Sequence, residues 1–273
     1  FIEQMQLHYD QQARDAGVII VSACGLDSVP NDMGVVYLEK NFNGTLNSVE
    51  SYMSVNVAKN LPRDAYSNGV LNYGTWESLV ESLAHYSEIK PLRKKLFPER
   101  LPTFQPKLQA RALPQRHVGG RGWSVPFLGA DTSVVQRTQR RLHAAEHKRP
   151  VQFRAYLLLP GLLALGLYAL CGALLMLMAK ASFTKKLLLD YPQVFTLGYV
   201  TKKNPKKEVT ENTKFVAELV GQGWPTGTDV GMPPSRTLTV RISVMDPGYG
   251  FTAAALLLCA NAIVTEKEMI PAA

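Results

Sequence analysis

A short polar segment between an apolar run and a helix carries the residues of this chain best suited to ligand contact. Gly25 permits close approach of the backbone, and Asp27, Ser28 and Asn31 supply polar side chains beside a predicted helix N-terminus. Open α/β sheets bind their ligands at such loops, which follow the carboxyl ends of parallel strands. The same residue types also cap helices and form turns, so a purely structural role is the alternative interpretation.

A second pattern consists of His143, Glu146 and His147 in the order H-x-x-E-H, as in an inverted zinc-peptidase site. Two histidines on one helical face can bind zinc, with the glutamate as general base. The segment is basic, stops at Pro150 and specifies no third ligand, which favours a solvated helix end. No glycine-rich nucleotide motif follows a predicted strand. The sequence therefore predicts no metal site and leaves the catalytic residues unknown.

The elements around the polar segment predict an α/β fold. Residues 1–15 have the period of an amphipathic helix, and residues 18–22 are a continuous apolar run typical of a strand buried on both faces of a parallel sheet. A helix over residues 32–40 follows. This order is that of the tail of a Rossmann-type parallel sheet.

A mixed α+β domain is predicted to follow. Alternating apolar residues indicate a half-exposed strand over residues 49–57 and another strand over 238–245. A helix is predicted over 76–85, capped by Thr75, and residues 90–126 are predicted to be mainly loop. Asp131 and Thr132 can cap a basic helix that runs to about 147. A strand over 215–220 and an apolar helix over 251–264 complete the predicted elements.

Positive charge is concentrated in one segment of the chain. The whole sequence has a net charge of +8, and residues 90–154 hold fifteen Lys and Arg against three acidic residues, a local net of +12. Anionic lipid and nucleic acid are the usual partners of such a segment. The segment lacks interleaved aromatic residues and a recognisable reading helix, so we expect anionic lipid and no nucleic acid.

Residues 155–179 form an uncharged apolar run of 25 residues. As one helix this run would be roughly 37 Å long, enough to enter a bilayer. Both of its ends are basic, so its orientation stays open. The choice between a single span and a hairpin bent at Pro160, Gly161, Gly166 or Gly172 also stays open. The alternative is a fully buried core helix of a soluble domain.

The chain has three cysteines, Cys24, Cys171 and Cys259, without a C-x-x-C spacing. This usage indicates neither a disulfide framework nor a structural zinc site. It is typical of a reducing environment, so we expect the bulk of the chain to face the cytosol.

Five segments occur in a specific order along nearly the whole chain: VIIVSACGLDSVPNDMG at 18–34, GTW at 74–76, WSVPF at 123–127, DTSVVQRTQR at 131–140 and GYG at 248–250. In sequence and order they resemble the saccharopine dehydrogenase-like oxidoreductases. The resemblance includes the apolar run.

The resemblance implies a domain organisation. Residues 1–41 would be the last strand and helices of a truncated Rossmann-like domain, and 42–245 a mixed α+β domain containing the basic and apolar segments. Residues 246–273 would return as a helix to the first domain. The glycine-rich fingerprint of the relatives has no counterpart here, so we expect a fragment of a longer protein.

The resemblance also implies a function. The full-length protein would bind NAD or NADP, with Gly25, Asp27, Ser28 and Asn31 at the nicotinamide end, whereas this chain alone is not expected to bind it. We expect an oxidoreductase at a membrane or lipid-droplet surface, linked to glycolipid metabolism, with an unknown substrate. The alternative is a catalytically inactive lipid-surface scaffold on the same fold. The sequence does not specify the oligomeric state.

Overall fold

The computed structural model of the protein describes residues 2–57, 59–117, 122–266, 268 and 270. The strands are β1 Gly44–Asn56, β2 Gln115–Arg116, β3 Trp123–Pro126, β4 Gln152–Leu159, β5 Lys214–Pro225 and β6 Arg236–Met245. The α-helices are α1 Ile2–Asp15, α2 Val29–Asn41, α3 Tyr73–Ala84, α4 Tyr86–Leu96, α5 Asp131–Glu146, α6 Leu162–Lys180, α7 Ser182–Asp190, α8 Pro192–Phe195, α9 Lys207–Glu211 and α10 Thr252–Thr265. A 3-10 helix spans Arg63–Asn68, and a π-helical turn, Pro247–Phe251, leads into α10.

One mixed sheet holds the six strands of the described residues, in the order β2-β3-β4-β1-β5-β6. Strands β1 and β4 run parallel, and the other neighbours are antiparallel. The parallel pair surrounded by helices confirms the predicted α/β class. β1 is buried over eight consecutive residues, because it lies between two strands and is covered on both faces. The prediction that it is half exposed is therefore wrong.

Helices α2 and α5 cover one face of the sheet and form the main core with it. Val35 and Leu38 of α2, Val135 of α5 and Val49 of β1 are all fully buried there. Apolar positions three and four apart on α2 supply this contact. The predicted domain boundary at residue 41 stays a prediction. Helix α2, which that prediction assigns to the first domain, packs on the sheet assigned to the second domain.

A second cluster of buried residues lies between three helices beside the sheet. Trp76 and Val80 of α3 pack against Ala179 of α6 and Leu188 of α7. The indole Nε1 of Trp76 donates a hydrogen bond to the Leu188 carbonyl at 2.9 Å. This cluster fixes α6 to the rest of the fold.

Residues 18–22 are not a strand. They follow α1 as unpaired chain, and Val18, Ile19, Ile20 and Val21 are between 46 and 72% exposed. A strand buried on both faces requires neighbouring strands, and none lies beside this segment among the residues described here. The predicted strand is therefore wrong for this chain, although the helices on both sides of it are confirmed.

The apolar run 155–179 is not one helix. Its first five residues complete β4, and Pro160 and Gly161 separate that strand from α6. At 1.5 Å per residue, the 19 residues of α6 are about 28 Å long. The alternative of a buried core helix is wrong, since only 6% of the apolar window of α6 is buried. The helix formed by Pro247–Thr265 is similarly long, apolar and exposed.

Two smaller predictions also need correction. Asn72, rather than Thr75, caps α3 by accepting a hydrogen bond from the Gly74 N–H at 2.7 Å. Asp131 is the first residue of α5 and makes no capping hydrogen bond. The prediction that residues 90–126 are mainly loop is confirmed over the described residues, which also include the end of α4, β2 and β3. The pairing of β3 with β4 could not be inferred from its four residues.

Candidate functional site

The starts of α2 and α5 meet over β1, because both helices pack on the same face of the sheet. The Asn31 side-chain amide donates to Asp131 Oδ1 at 2.5 Å. Ser51 Oγ of β1 donates to Asn31 Oδ1 at 2.6 Å, and Met53 Sδ lies 3.1 Å from Asn31 Nδ2. Asn31 thus joins a helix, a strand and a second helix through one side chain.

Asp131 is the group with the most altered chemistry in this arrangement. It is 1% exposed, and its Oδ2 has no hydrogen-bond partner among the described residues. Its pKa is raised to about 7: burial raises it most, the hydrogen bond from Asn31 opposes the shift, and the charge of Asp27 adds to it. A carboxyl group that titrates near neutral pH can both donate and accept a proton under physiological conditions.

The four predicted binding residues lie within the short segment 25–31, but they differ in their exposure to solvent. Asn31 and Ser28 are buried, with 0 and 2% exposure, while Asp27 is exposed. Gly25 faces Thr252 at the start of α10, and a Cβ there would lie 3.0 Å from the threonine methyl group. The structure therefore brings Asn31 and Asp131 together and leaves Asp27 open to solvent.

The backbone of this loop is engaged by α10. The N–H of Leu26 donates to Thr252 Oγ1 at 3.3 Å. The neighbouring thiols of Cys24 and Cys259 also join the loop to α10, and burial together with the Cys259 thiol raises the pKa of Cys24. The close backbone approach that Gly25 permits is used here by a helix of the chain itself.

Another carboxyl group lies further along the contact between α2 and α5. Asp32 Oδ2 accepts a hydrogen bond from Thr138 Oγ1 at 2.9 Å, and burial raises the pKa of Asp32. Its second oxygen has no partner in the described part of the chain. Asp32 and Asp131 thus place two carboxyl groups inside the contact between α2 and α5.

The H-x-x-E-H pattern has other partners in the structure. His143 Nδ1 lies 2.8 Å from the carbonyl oxygen of Lys148, and Glu146 forms an ion pair with the Lys148 ammonium group at 2.7 Å. His147 ends α5 in the left-handed conformation. Across the described ranges, no three His, Cys, Asp or Glu side chains are grouped as metal ligands.

Much of the basic segment 90–154 is used inside the fold. The Arg149 guanidinium lies 4.3 Å from the ring centre of Phe104, and Arg140 lies 4.8 Å from that of Phe97. Arg111 forms an ion pair with the buried Glu50 at 2.8 Å, on the sheet face opposite α2. These arginines stabilise contacts within the protein, so the segment is not one continuous basic surface.

Sequence reasoning missed Asp131 and Ser51 as site residues. Asp131 has the residue type and place of a helix cap, and no local signal shows that its carboxylate turns to another helix 100 residues away. Ser51 is a polar residue in an alternating strand, where its face cannot be known before the neighbours of β1 are known. The order of the segments that resemble the relatives was the one available signal for residue 131.

Curated relatives match the chain from end to end. It is 31% identical to the human saccharopine dehydrogenase-like oxidoreductase over 275 residues, which cover all of this chain and 62% of the relative. It is 30% identical to a Caenorhabditis elegans protein named lipid droplet localized protein, with 99% of this chain and 64% of the relative covered.

A relative from Arabidopsis thaliana, named a probable mitochondrial saccharopine dehydrogenase-like oxidoreductase, is 28% identical over 99% of this chain and 63% of its own length. No family model and no solved structure matches the chain. The chain thus spans about three fifths of the length of these relatives. Over its whole length, the chain is a homologue of the saccharopine dehydrogenase-like oxidoreductases.

Proposed function

We propose that the chain is part of a nicotinamide-dependent oxidoreductase that works at a lipid surface. The observation that carries the catalytic part is the buried Asn31–Asp131 pair, whose carboxyl group has a pKa of about 7. Transfer of a hydride to or from the carbon of a carbonyl or alcohol requires a group that gives a proton to, or takes one from, its oxygen, and Asp131 has the pKa for that role. The names of the relatives support the reaction class.

The residues of this chain do not fit a complete dinucleotide. A pyrophosphate needs free backbone N–H groups at a glycine-rich turn, whereas the loop after Cys24 uses its Leu26 N–H to bind Thr252. Asp27 is the exposed residue of the four predicted ones and could contact only one end of a cofactor. NAD or NADP would therefore be held mainly by parts of the longer protein.

Fluorescence titration of a full-length version with NADH and NADPH tests this proposal. We expect one of the two to bind, and binding to persist in Asp131→Asn, because this change keeps the size of the side chain and its hydrogen bond from Asn31. Turnover of an alcohol or carbonyl substrate should fall at least about 100-fold in that variant. Asp10→Asn, an exposed change on α1, is the matched control and should keep full turnover. If neither nucleotide binds, the proposed reaction class is wrong.

The lipid part of the proposal rests on α6. Six of its eight leucines are exposed, and in water this apolar surface would be unfavourable. One relative is named for lipid droplets, and we extend that location to this chain, with the bulk of the fold in the cytosol. Lys180 and Lys186 beside the helix would contact anionic lipids. If the substrate carries a glycolipid head group, the enzyme would take part in glycolipid metabolism.

A catalytically inactive lipid-surface scaffold is the second candidate. The observation favouring it is the contact of the Gly25 loop with α10, which leaves the predicted cofactor loop occupied by its own chain. Exchanging Leu163, Leu170 and Leu177 for Gln separates the two functions in a full-length protein. Loss of droplet localisation with retained nucleotide binding supports an anchored enzyme. Loss of localisation in a protein that never binds nucleotide supports the scaffold.

A further inference from the structure

We infer that α6 lies in a single leaflet, parallel to the lipid surface, and does not cross a bilayer. The inference rests on the proposed lipid association and adds its geometry. It follows from where the two ends of α6 are attached and from which of its faces is exposed.

Both ends of α6 join the folded body within two residues. Its start follows β4 after Pro160 and Gly161, and β4 is hydrogen-bonded to β1 and β3 in the sheet. After its end, Ala181 alone precedes α7, which is held against α3. Both junctions are too short for one end of α6 to reach the far side of a membrane while the sheet and helices attached to it stay on the near side.

The parts attached to the two ends are also connected to each other by polar contacts. Thr201 Oγ1 donates to the carbonyl of Asn68 at 2.7 Å, and Asn68 itself donates to the carbonyl of Asn204 at 3.1 Å. Lys206 pairs with Asp64 at 3.2 Å. A spanning α6 would require this hydrogen-bonded chain to pass through hydrocarbon, where charged and polar groups are strongly unfavourable.

One face of α6 packs on the body. Leu175 and Met178 contact the second cluster, where Ala179 is 2% exposed. Helices α3 and α7 are the elements packed against α6. The last turns of α6 are therefore held against the folded body.

The opposite face is a stripe of leucines. Positions three, four and seven residues apart share a helical face, so these side chains form a single outward row about 21 Å long. Near the end of α6, Phe183 of α7 is 74% exposed. Lys180, the last residue of α6, and Lys186 of α7 are also exposed. The stripe consists of Leu163, Leu167, Leu170, Leu174 and Leu177, which are 80, 52, 58, 49 and 67% exposed.

A phospholipid surface fits this arrangement better than another protein. The stripe is uncharged and consists of one residue type along its full length, and the exposed Lys180 and Lys186 have side chains long enough to extend from the interface to the phosphate groups. A helix lying flat places its apolar face about 5–10 Å below the head groups. A phospholipid monolayer over oil offers that environment as well as a bilayer leaflet does.

Depth-dependent quenching of tryptophan by brominated lipids tests the inference in a full-length protein. Leu163→Trp, Leu170→Trp and Leu177→Trp are compared, on vesicles of phosphatidylcholine and phosphatidylserine brominated at shallow or deep acyl positions. Leu113→Trp, at a 76% exposed leucine outside the stripe, is the matched control. The signal of the unchanged protein, with its three tryptophans, is subtracted.

We expect all three stripe positions to be quenched at the same shallow depth and the control not to be quenched. Binding to phospholipid-coated triolein droplets should match binding to vesicles within about threefold. A profile in which position 170 is much deeper than 163 and 177 would show a spanning helix and overturn the inference while leaving lipid association intact. Absence of quenching at every position would overturn both, and sedimentation would then show whether a second copy covers the stripe.

Discussion

At the scale of single residues, the burial of a few polar groups determines the chemistry that this chain can do. Asp131, Asn31 and Ser51 form a hydrogen-bonded series that ends in a carboxyl oxygen without a partner in the described residues. A buried carboxylate is unfavourable, so the group holds its proton up to about neutral pH. The cost of keeping such a group inside the fold should appear in the pH dependence of stability.

The first prediction concerns Asp131→Asn. The folded pKa of about 7 lies above the ordinary value of 3.8, so the folded state binds the proton more tightly, and stability falls as pH rises from about 4 to 7. Asn removes this contribution and still accepts the hydrogen bond from Asn31. Between pH 5 and 8, the free energy of unfolding of the wild type should fall by about 2–3 kcal/mol relative to the variant.

Urea unfolding at the two pH values measures this difference, and Asp10→Asn is the control that should follow the wild type. An equal pH dependence in wild type and Asp131→Asn would mean that Asp131 is ionised in the folded protein. The proposed role of its carboxyl group as a proton donor near neutral pH would then be wrong.

A second prediction concerns the ion pair on the opposite face of the sheet. Glu50 is 9% exposed, and Arg111 binds both its carboxylate and the hydroxyl of Tyr52, whose pKa burial raises to about 12. Arg111→Ala leaves the Glu50 carboxylate buried without its partner and should lower the free energy of unfolding by about 2–3 kcal/mol.

Adding Glu50→Gln to the Arg111→Ala variant should recover at least half of that loss, since both charges are then gone. Denaturant unfolding of the single and double variants gives the coupling energy. Lys148→Ala, which removes an exposed pair with Glu146, serves as the control and should cost less than about 0.5 kcal/mol. No recovery in the double variant would show that Arg111 acts through packing alone.

At the scale of helices and strands, local patterns predicted the existence of elements better than their ends or partners. The helix over 2–15 and the strands near 215 and 238 were recognisable, since their apolar periods are long and regular. The end of β4 was not, because residues 155–159 and α6 are equally apolar. Only the pairing of β4 with β1 and β3 distinguishes the strand from the helix that follows.

The cap of α3 gives a third prediction, on this scale. Asn72 accepts from the Gly74 N–H, and its side-chain amide donates to the Tyr249 hydroxyl at 2.7 Å and to Asn204 Oδ1 at 3.1 Å. Asn72→Ala removes these contacts and should lower the free energy of unfolding by about 1–2 kcal/mol. Thr75→Ala is the matched control, and a cost below about 0.5 kcal/mol is expected. Equal costs in thermal or urea unfolding would restore Thr75 as the cap.

At the scale of the whole molecule, the two long apolar helices have different surroundings. α6 packs beside α3 and α7, whereas α10 lies against the Gly25 loop through Thr252 and Cys259. Near α10, residues 18–21 are exposed and apolar in the same way as Leu256, Leu257 and Leu258. The relatives are longer than this chain, so we expect this second apolar surface to contact a further domain and not lipid.

The surface around residues 18–22 gives the last prediction. Its sequence is that of a buried parallel strand, and in this chain no described strand pairs with it. In a protein extended to the length of the relatives, these residues should pair in a sheet, and their amides should exchange with solvent at least about 100-fold more slowly than in the present chain. Hydrogen exchange followed by mass spectrometry compares the two proteins, and β5, paired on both sides in either of them, is the internal control. Equal exchange at 19–22 in both proteins would mean that this apolar segment is not part of a sheet, and the predicted Rossmann-type domain would lose its structural support.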